Sequence, residues 1–337
     1  VLTGTALNVA VVGYGAIGRR RVANLDDERL VGVVDTDPRA RAVAERQTRT
    51  YTDIGQLLEE CHPDVLIVAT PNAQIAETAR IGLESGCHVL VEKPGAGSLA
   101  AFQELIDVAE RVGRWLWVGY NHLFHHHVTD LLAELGSGEH GDVMFVRARY
   151  GHGGRPGYDR EWRASRELAG GGELLDQGSH LLNLTYHLLG PLPVENAILR
   201  TAYWDMEVED NAVVNLADRA DPVGGPWATL QVSCTAWLNE YAVDVHCRAA
   251  HLALTGLGGS YGDPRLTINR RPPGGGVPES SVRSYGPGDK SWRREWRAFR
   301  AALERPFDKS TCTAASYSLR AVEDCYALGS SNGEDGS

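Results

Sequence analysis

Paired cysteines, an excess of basic residues and long apolar runs are all missing from this 337-residue chain, and each absence narrows what it can be. The six cysteines, at 61, 87, 234, 247, 312 and 325, form no C-x-x-C pair, so neither a zinc site nor a redox dithiol is indicated. Scattered single thiols suit a reducing compartment, and a cytoplasmic location is the expectation. Lys and Arg number 33 against 44 Asp and Glu, a formal net charge of −11. That balance argues against nucleic acid or an anionic membrane as a partner, because phosphate binding needs a basic surface. No apolar run reaches spanning length, and the first residues lack the charged-then-apolar order of a signal peptide.

What is present is a globular chain with room for two domains: 43% of its residues are hydrophobic. The first third alternates short apolar runs (7–13, 30–34, 64–69, 88–91, 115–119) with helical patterns (16–25, 38–47, 71–84, 98–112). Each crossover is a helix, so the strands must pair in parallel, and their unbroken hydrophobicity fits a sheet covered on both faces. After about residue 125 the rhythm changes. Strand-like segments 143–150, 197–203, 211–216, 228–234 and 241–247 follow one another, interrupted by one clear helix at 173–189. Further helices are expected at 292–303 and 314–328, with a Gly/Pro-rich loop at 271–278. The expected fold is an α/β doubly wound domain over 1–124, an α+β domain with an open, mostly antiparallel sheet over 125–330, and a frayed tail at 331–337.

The segment Gly13-Tyr14-Gly15-Ala16-Ile17-Gly18 is G-x-G-x-x-G between a strand and a helix, the context this motif requires. Gly13 allows the tight turn, Gly15 lets the backbone approach a pyrophosphate, and Gly18 lets helix and strand pack closely. Asp35 ends the next strand, where an acid can bind the adenosine ribose 2′-hydroxyl. Its charge favours NAD over NADP, although Arg39 and Arg41 are close by.

Two further clusters carry chemistry. Glu92-Lys93-Pro94 ends a parallel strand, where ligands of open α/β sheets sit, so Lys93 is placed to stabilise negative charge on a substrate oxygen. In Gly170-Gly171-Gly172-Glu173-Leu174-Leu175-Asp176-Gln177-Gly178-Ser179-His180 the spacing puts Asp176 and His180 on one helix face. A histidine beside a carboxylate can exchange a proton near neutral pH; a structural ion pair is the competing explanation.

Together with Thr70-Pro71-Asn72 and the full run His88–Pro94, these motifs closely resemble, in order over at least the first 190 residues, the glucose–fructose oxidoreductase, inositol dehydrogenase and MocA family. The resemblance implies a Rossmann domain followed by a domain whose open sheet builds dimers or tetramers. It also implies that Lys93 contacts the reacting hydroxyl, that Pro94 is cis, that His180 is the acid–base with Asp176 as its carboxylate neighbour, and that Asn121 lines the site. Gly13, Gly15, Ala16, Ile17, Gly18, Asp35, Thr70, Pro71, Asn72, Glu92, Lys93 and Asn121 would then hold the dinucleotide. The implied reaction moves a hydride between a secondary alcohol of a sugar, cyclitol or nucleotide-linked sugar and the nicotinamide, while His180 takes the hydroxyl proton. Ile75, Leu123 and Asn183 depart from residues common in that family.

The loop 151–163 carries Tyr158, Trp162 and Arg163, which could meet the substrate by stacking and charge; internally paired surface charges would explain it equally. His122 and His125-His126-His127 lack acidic or cysteine companions at ligand spacing, so no metal is expected. Trp292, Trp296 and Phe299 form a helical stripe suited to a core or a subunit contact. An NADPH-preferring ketoreductase of a nucleotide-linked ketosugar and a non-catalytic dinucleotide sensor are the alternatives to the dehydrogenase.

Overall fold

The computed structural model describes residues 6–218, 220–221 and 223–331, so the expected tail lies, from 332 on, outside the described residues. The chain divides into two compact units. One runs up to Asn121 and takes in Trp292–Ser316; the other comprises His122–Ser291 and the chain from Tyr317 on.

In the first unit β1 (Asn8–Val12), β2 (Arg29–Val34), β3 (Arg49–Tyr51), β4 (Val65–Val68), β5 (His88–Glu92) and β6 (Leu116–Gly119) alternate with α1 (Ala16–Val22), α2 (Pro38–Ala44), α3 (Ile54–Cys61), α4 (Asn72–Glu84) and α5 (Leu99–Val112). The sheet is wholly parallel in the order β3-β2-β1-β4-β5-β6, the doubly wound arrangement expected. Every residue of β4 and β5 is buried, as a two-faced sheet demands. Asp37, Asp53 and Ser98 start α2, α3 and α5 by accepting hydrogen bonds from Arg39, Gln56 and Ala101 N–H groups. The short β3 and α3 were not expected.

The second unit contains α6 (His126–Gly136), β7 (Val143–Gly151), α7 (Arg166–Ala169), α8 (Ser179–Leu189), β8 (Val194–Arg200), β9 (Asn211–Ala217), β10 (Trp227–Ser233), β11 (Glu240–Cys247), β12 (Ala250–Thr255), β13 (Arg265–Arg270) and β14 (Glu279–Ser284). The strands form one sheet in the order β14-β13-β12-β11-β7-β10-β9-β8, antiparallel except where β10 meets β7. Strict alternation in β9 and β11 gives the sheet one buried face, with Val214, Leu216, Val243 and Val245, and one half-exposed face.

Two further helices follow, α9 (Ser291–Ala302) and α10 (Thr313–Ser331). Where a division into 1–124 and 125–330 was expected, the first unit also takes in Trp292–Ser316, which includes most of α9. Trp296, Phe299 and Ala302 of that helix join Val9, Val11, Val33 and Ile67 in the core of the first unit, so the aromatic stripe is core.

Candidate active site

The dinucleotide fingerprint is built at the carboxyl end of β1. Gly13 has φ +88°, and a side chain there would collide with the Ala69 carbonyl; one at Gly18 would collide with the Gly13 carbonyl. Both glycines are therefore required by the protein's own packing. Gly15 is different: no atom of the described residues lies within 4 Å of where its Cβ would be. Internal packing does not account for its small size, whereas close approach of a phosphate would. Gly15 is also the N-cap of α1 and provides no side-chain cap, with Ala16 and Ile17 opening the helix. Asp35 accepts the Tyr14 N–H at 2.6 Å through one oxygen and the Asp37 N–H at 2.8 Å through the other, which ties it to the fingerprint turn. Arg41 donates to the carbonyls of Asp35 and Thr36, while Arg39 stands exposed. Past the end of β4, the Thr70 hydroxyl is buried and has no hydrogen-bond partner among the described residues; Pro71 caps α4, which Asn72 begins. These residues fit a nicotinamide dinucleotide.

Lys93 is half-buried in the turn that follows β5. The Lys93–Pro94 peptide is cis, and the Gly95 N–H donates to the Glu92 carbonyl at 3.0 Å. Glu92, expected among the cofactor contacts, places its carboxylate on the buried Arg21, whose Nε lies 2.6 Å from Oε1. Asn121, buried, follows β6 and opens a short 3-10 turn.

In the second unit, residues Leu174–Gly178 form a π-helical turn leading into α8, rather than the continuous α-helix expected. Such turns widen the helix, so the i, i+4 face argument does not carry over unchanged. Asp176 is half-buried and accepts from Arg163 Nε at 3.3 Å. Arg163 also packs over the Trp162 ring, 4.6 Å from its centroid. His180 is buried and its ring stacks on His122, centroids 3.8 Å apart and planes 15° from parallel. Tyr150 and Tyr241 pack around the same histidine pair.

The side chains of the 151–163 loop divide. Tyr158 is buried against His152 and Trp204 and supports the loop from inside, whereas Trp162 and Arg163 remain half-exposed. His152 lies 3.2 Å from Glu173. Burial pushes the Glu173 carboxyl up; burial works against the His152 imidazolium, but Glu173 outweighs it and raises that group too. The pair thus holds one proton to higher pH than a free imidazole. Sequence reasoning missed Arg21, His152 and Glu209, and treated His122 only as a metal candidate. The Glu209 carboxylate accepts from the Gly172 and Leu174 N–H groups and from the Tyr326 hydroxyl, which fixes the turn before Asp176. Distance in sequence hides such partners.

Comparison with known proteins places this arrangement. The family model described as an oxidoreductase family with an NAD-binding Rossmann fold matches residues 7–120, and the C-terminal domain model of the same GFO/IDH/MocA family matches 128–253. The chain belongs to that family. It is 32% identical over 197 residues to a D-glucoside 3-dehydrogenase of Escherichia coli, an alignment covering 56% of each chain. It thus spans little more than half the length of that relative. Among solved structures it is similar to GenD2 from gentamicin A biosynthesis, in complex with NAD, at 24% identity and TM-score 0.81 over 97% of this chain and 95% of that one. It is also similar to KijD10, a 3-ketoreductase from Actinomadura kijaniata in complex with NADP and TDP-benzene. There the identity is 20% and the TM-score 0.81, over 96% of this chain and 98% of the other. At these identities the two structures speak to the fold.

Proposed function

We propose that this chain is a nicotinamide-dependent dehydrogenase acting on a secondary alcohol of a sugar, cyclitol or nucleotide-linked sugar, or on the matching ketone in reverse. The observation that carries this reading is that Gly15, Thr70 and Lys93 all follow the carboxyl ends of neighbouring parallel strands, β1, β4 and β5. A bound nicotinamide would supply the hydride acceptor or donor. Lys93 would hold the substrate oxygen and favour its developing negative charge. His180, its ring plane fixed by His122, would take or return the hydroxyl proton, and Asp176 would favour the imidazolium. Trp162 and Arg163 would meet the rest of the substrate.

Absorbance of reduced nicotinamide tests this, with NAD⁺ or NADP⁺ against inositols, free sugars, sugar phosphates and nucleotide sugars, and with the corresponding ketones and NADH. Lys93→Ala should keep dinucleotide binding and lose at least ~100-fold in turnover. Full activity in that variant would sink the assignment.

NAD is the cofactor this reading favours, because Asp35 would repel a 2′-phosphate. Exposed Arg39, four residues after Asp35, supports an NADPH-preferring ketoreductase as the second reading; titrating NADH and NADPH by fluorescence separates the two. A cytoplasmic homodimer or homotetramer completes the proposal. All six cysteines are free, and no described helix is long and apolar enough to cross a membrane. On the half-exposed sheet face Trp227, Phe145, His246 and His251 form a stacked ladder with successive centroids 4.7, 4.2 and 4.4 Å apart, a surface suited to a second copy. Light scattering that returned the mass of one chain would overturn that assembly.

A further inference from the structure

Arg21 sits in the last turn of α1, the helix that begins at the fingerprint, and its side chain is 3% exposed. Its guanidinium joins three elements. Nε donates to Glu92 at the end of β5, Nη1 donates to Glu295 of α9, and Cζ lies 4.4 Å from the centroid of the Trp292 ring. Glu295 is fully buried. Gly119 stands opposite Glu92 in the β5–β6 register, and any side chain there would collide with Arg21 Nη2. The glycine is thus the space that admits the guanidinium.

A buried arrangement of one cation and two carboxylates is a weak source of stability, because desolvation offsets most of the Coulombic gain. Burial, with Glu92 as a like charge, pushes the Glu295 carboxyl up to about 7 even though Arg21 opposes this. What the arrangement does supply is direction: a planar fork holds its two acceptors at fixed angles. The residue held is Glu92, immediately before Lys93, and the Glu92 carbonyl closes the turn by accepting from Gly95.

We propose that Arg21, braced by Glu295, is the positioning residue of the lysine turn: it fixes Glu92 and thereby the place of the Lys93 ammonium. The inference rests on the role given to Lys93 above, yet its test needs neither substrate nor turnover. The chain has only three lysines, Lys93, Lys290 and Lys309. Trace labelling with acetic anhydride across a pH series, followed by peptide mass spectrometry, therefore reads Lys93 against two internal references in the same molecule.

In Arg21→Met the Lys93 labelling rate relative to Lys290 and Lys309 should rise at least threefold and its pH profile should shift. Arg21→Lys should restore it only in part, because an ammonium cannot serve both acceptors in the same geometry. Glu295→Gln, which leaves the Arg21–Glu92 contact in place, should give a smaller rise in the same direction. Should the Arg21 variants fail to fold, the isosteric Glu295→Gln decides alone. Unchanged relative labelling and an unchanged pH profile in the folded variants would overturn the proposal and leave the network a packing feature. If Lys93→Ala kept full activity while the labelling responded as expected, the catalytic reading would fail and the positioning inference would stand.

Discussion

Three glycines of one short motif do different work, and the difference can be measured. Gly13 and Gly18 are forced by the backbone around them, since a Cβ at either meets a carbonyl group. Gly15 faces open space. Gly18→Ala should therefore destabilise the fold by about 1–3 kcal/mol through overpacking, read as a lower urea midpoint. Gly15→Val should leave the midpoint nearly unchanged but weaken NADH binding roughly tenfold or more, about 1.4 kcal/mol, read by nicotinamide fluorescence. Wild-type affinity in Gly15→Val would mean that no pyrophosphate approaches this glycine. Asp35 belongs to the same scale: with both oxygens engaged by the N–H groups of Tyr14 and Asp37, its carboxylate is fixed before any ribose arrives.

At the scale of elements, the turn before α8 depends on a residue far from it in sequence. Glu209 lies just before β9, yet its buried carboxylate accepts the N–H groups of Gly172 and Leu174, and a side chain at Gly172 would collide with it. Glu209→Ala would leave the Leu174 N–H without its acceptor and the Gly172 N–H with the Tyr326 hydroxyl alone, at a cost of about 1–3 kcal/mol. Glu209→Gln, which keeps an acceptor oxygen, should recover much of that loss. A urea midpoint for Glu209→Ala equal to that of the parent would show that the turn holds itself. This dependence also explains what was legible beforehand. The β1, β2, β4, β5 and β6 strands could be read because continuous apolar runs bounded by helical patterns have one interpretation. The three-residue β3 and the wholly exposed β14 have neither run nor alternation, and α6 was masked by its histidine-rich start. Of the candidate site, the motif residues were readable because their chemistry is local to the chain. Arg21, His122, His152 and Glu209 were not, because each acquires its role only through a partner brought up by folding.

At the scale of the whole molecule, each unit hides a histidine that must stay neutral, and this fixes the sign of an acid response. In the first unit His88 Nδ1 accepts the Trp115 N–H at 3.1 Å; burial, with Arg114 adding to it, holds its pKa at about 4. In the second unit burial, with His125 adding to it, holds His127 at about 3. Unfolded, both would titrate near 6.5. Between roughly pH 6.5 and 4 the unfolded chain therefore binds more protons than the native one, so these groups make stability rise with pH and fall on acidification. Glu295 acts in the opposite sense. Its raised pKa means that the native state binds the extra proton between the usual carboxylate range and about 7, so its contribution is lost as pH rises through that window. A melting curve of the parent alone mixes the two signs with the titration of every surface carboxylate. The difference between parent and His88→Asn removes the shared part, because an asparagine oxygen can still accept from Trp115 while carrying no proton. The parent should lose more melting temperature than this variant between pH 6.5 and 4.5. Parallel losses would mean that His88 is protonated as readily in the folded chain as in the unfolded one, and that the Trp115 contact does not hold it neutral.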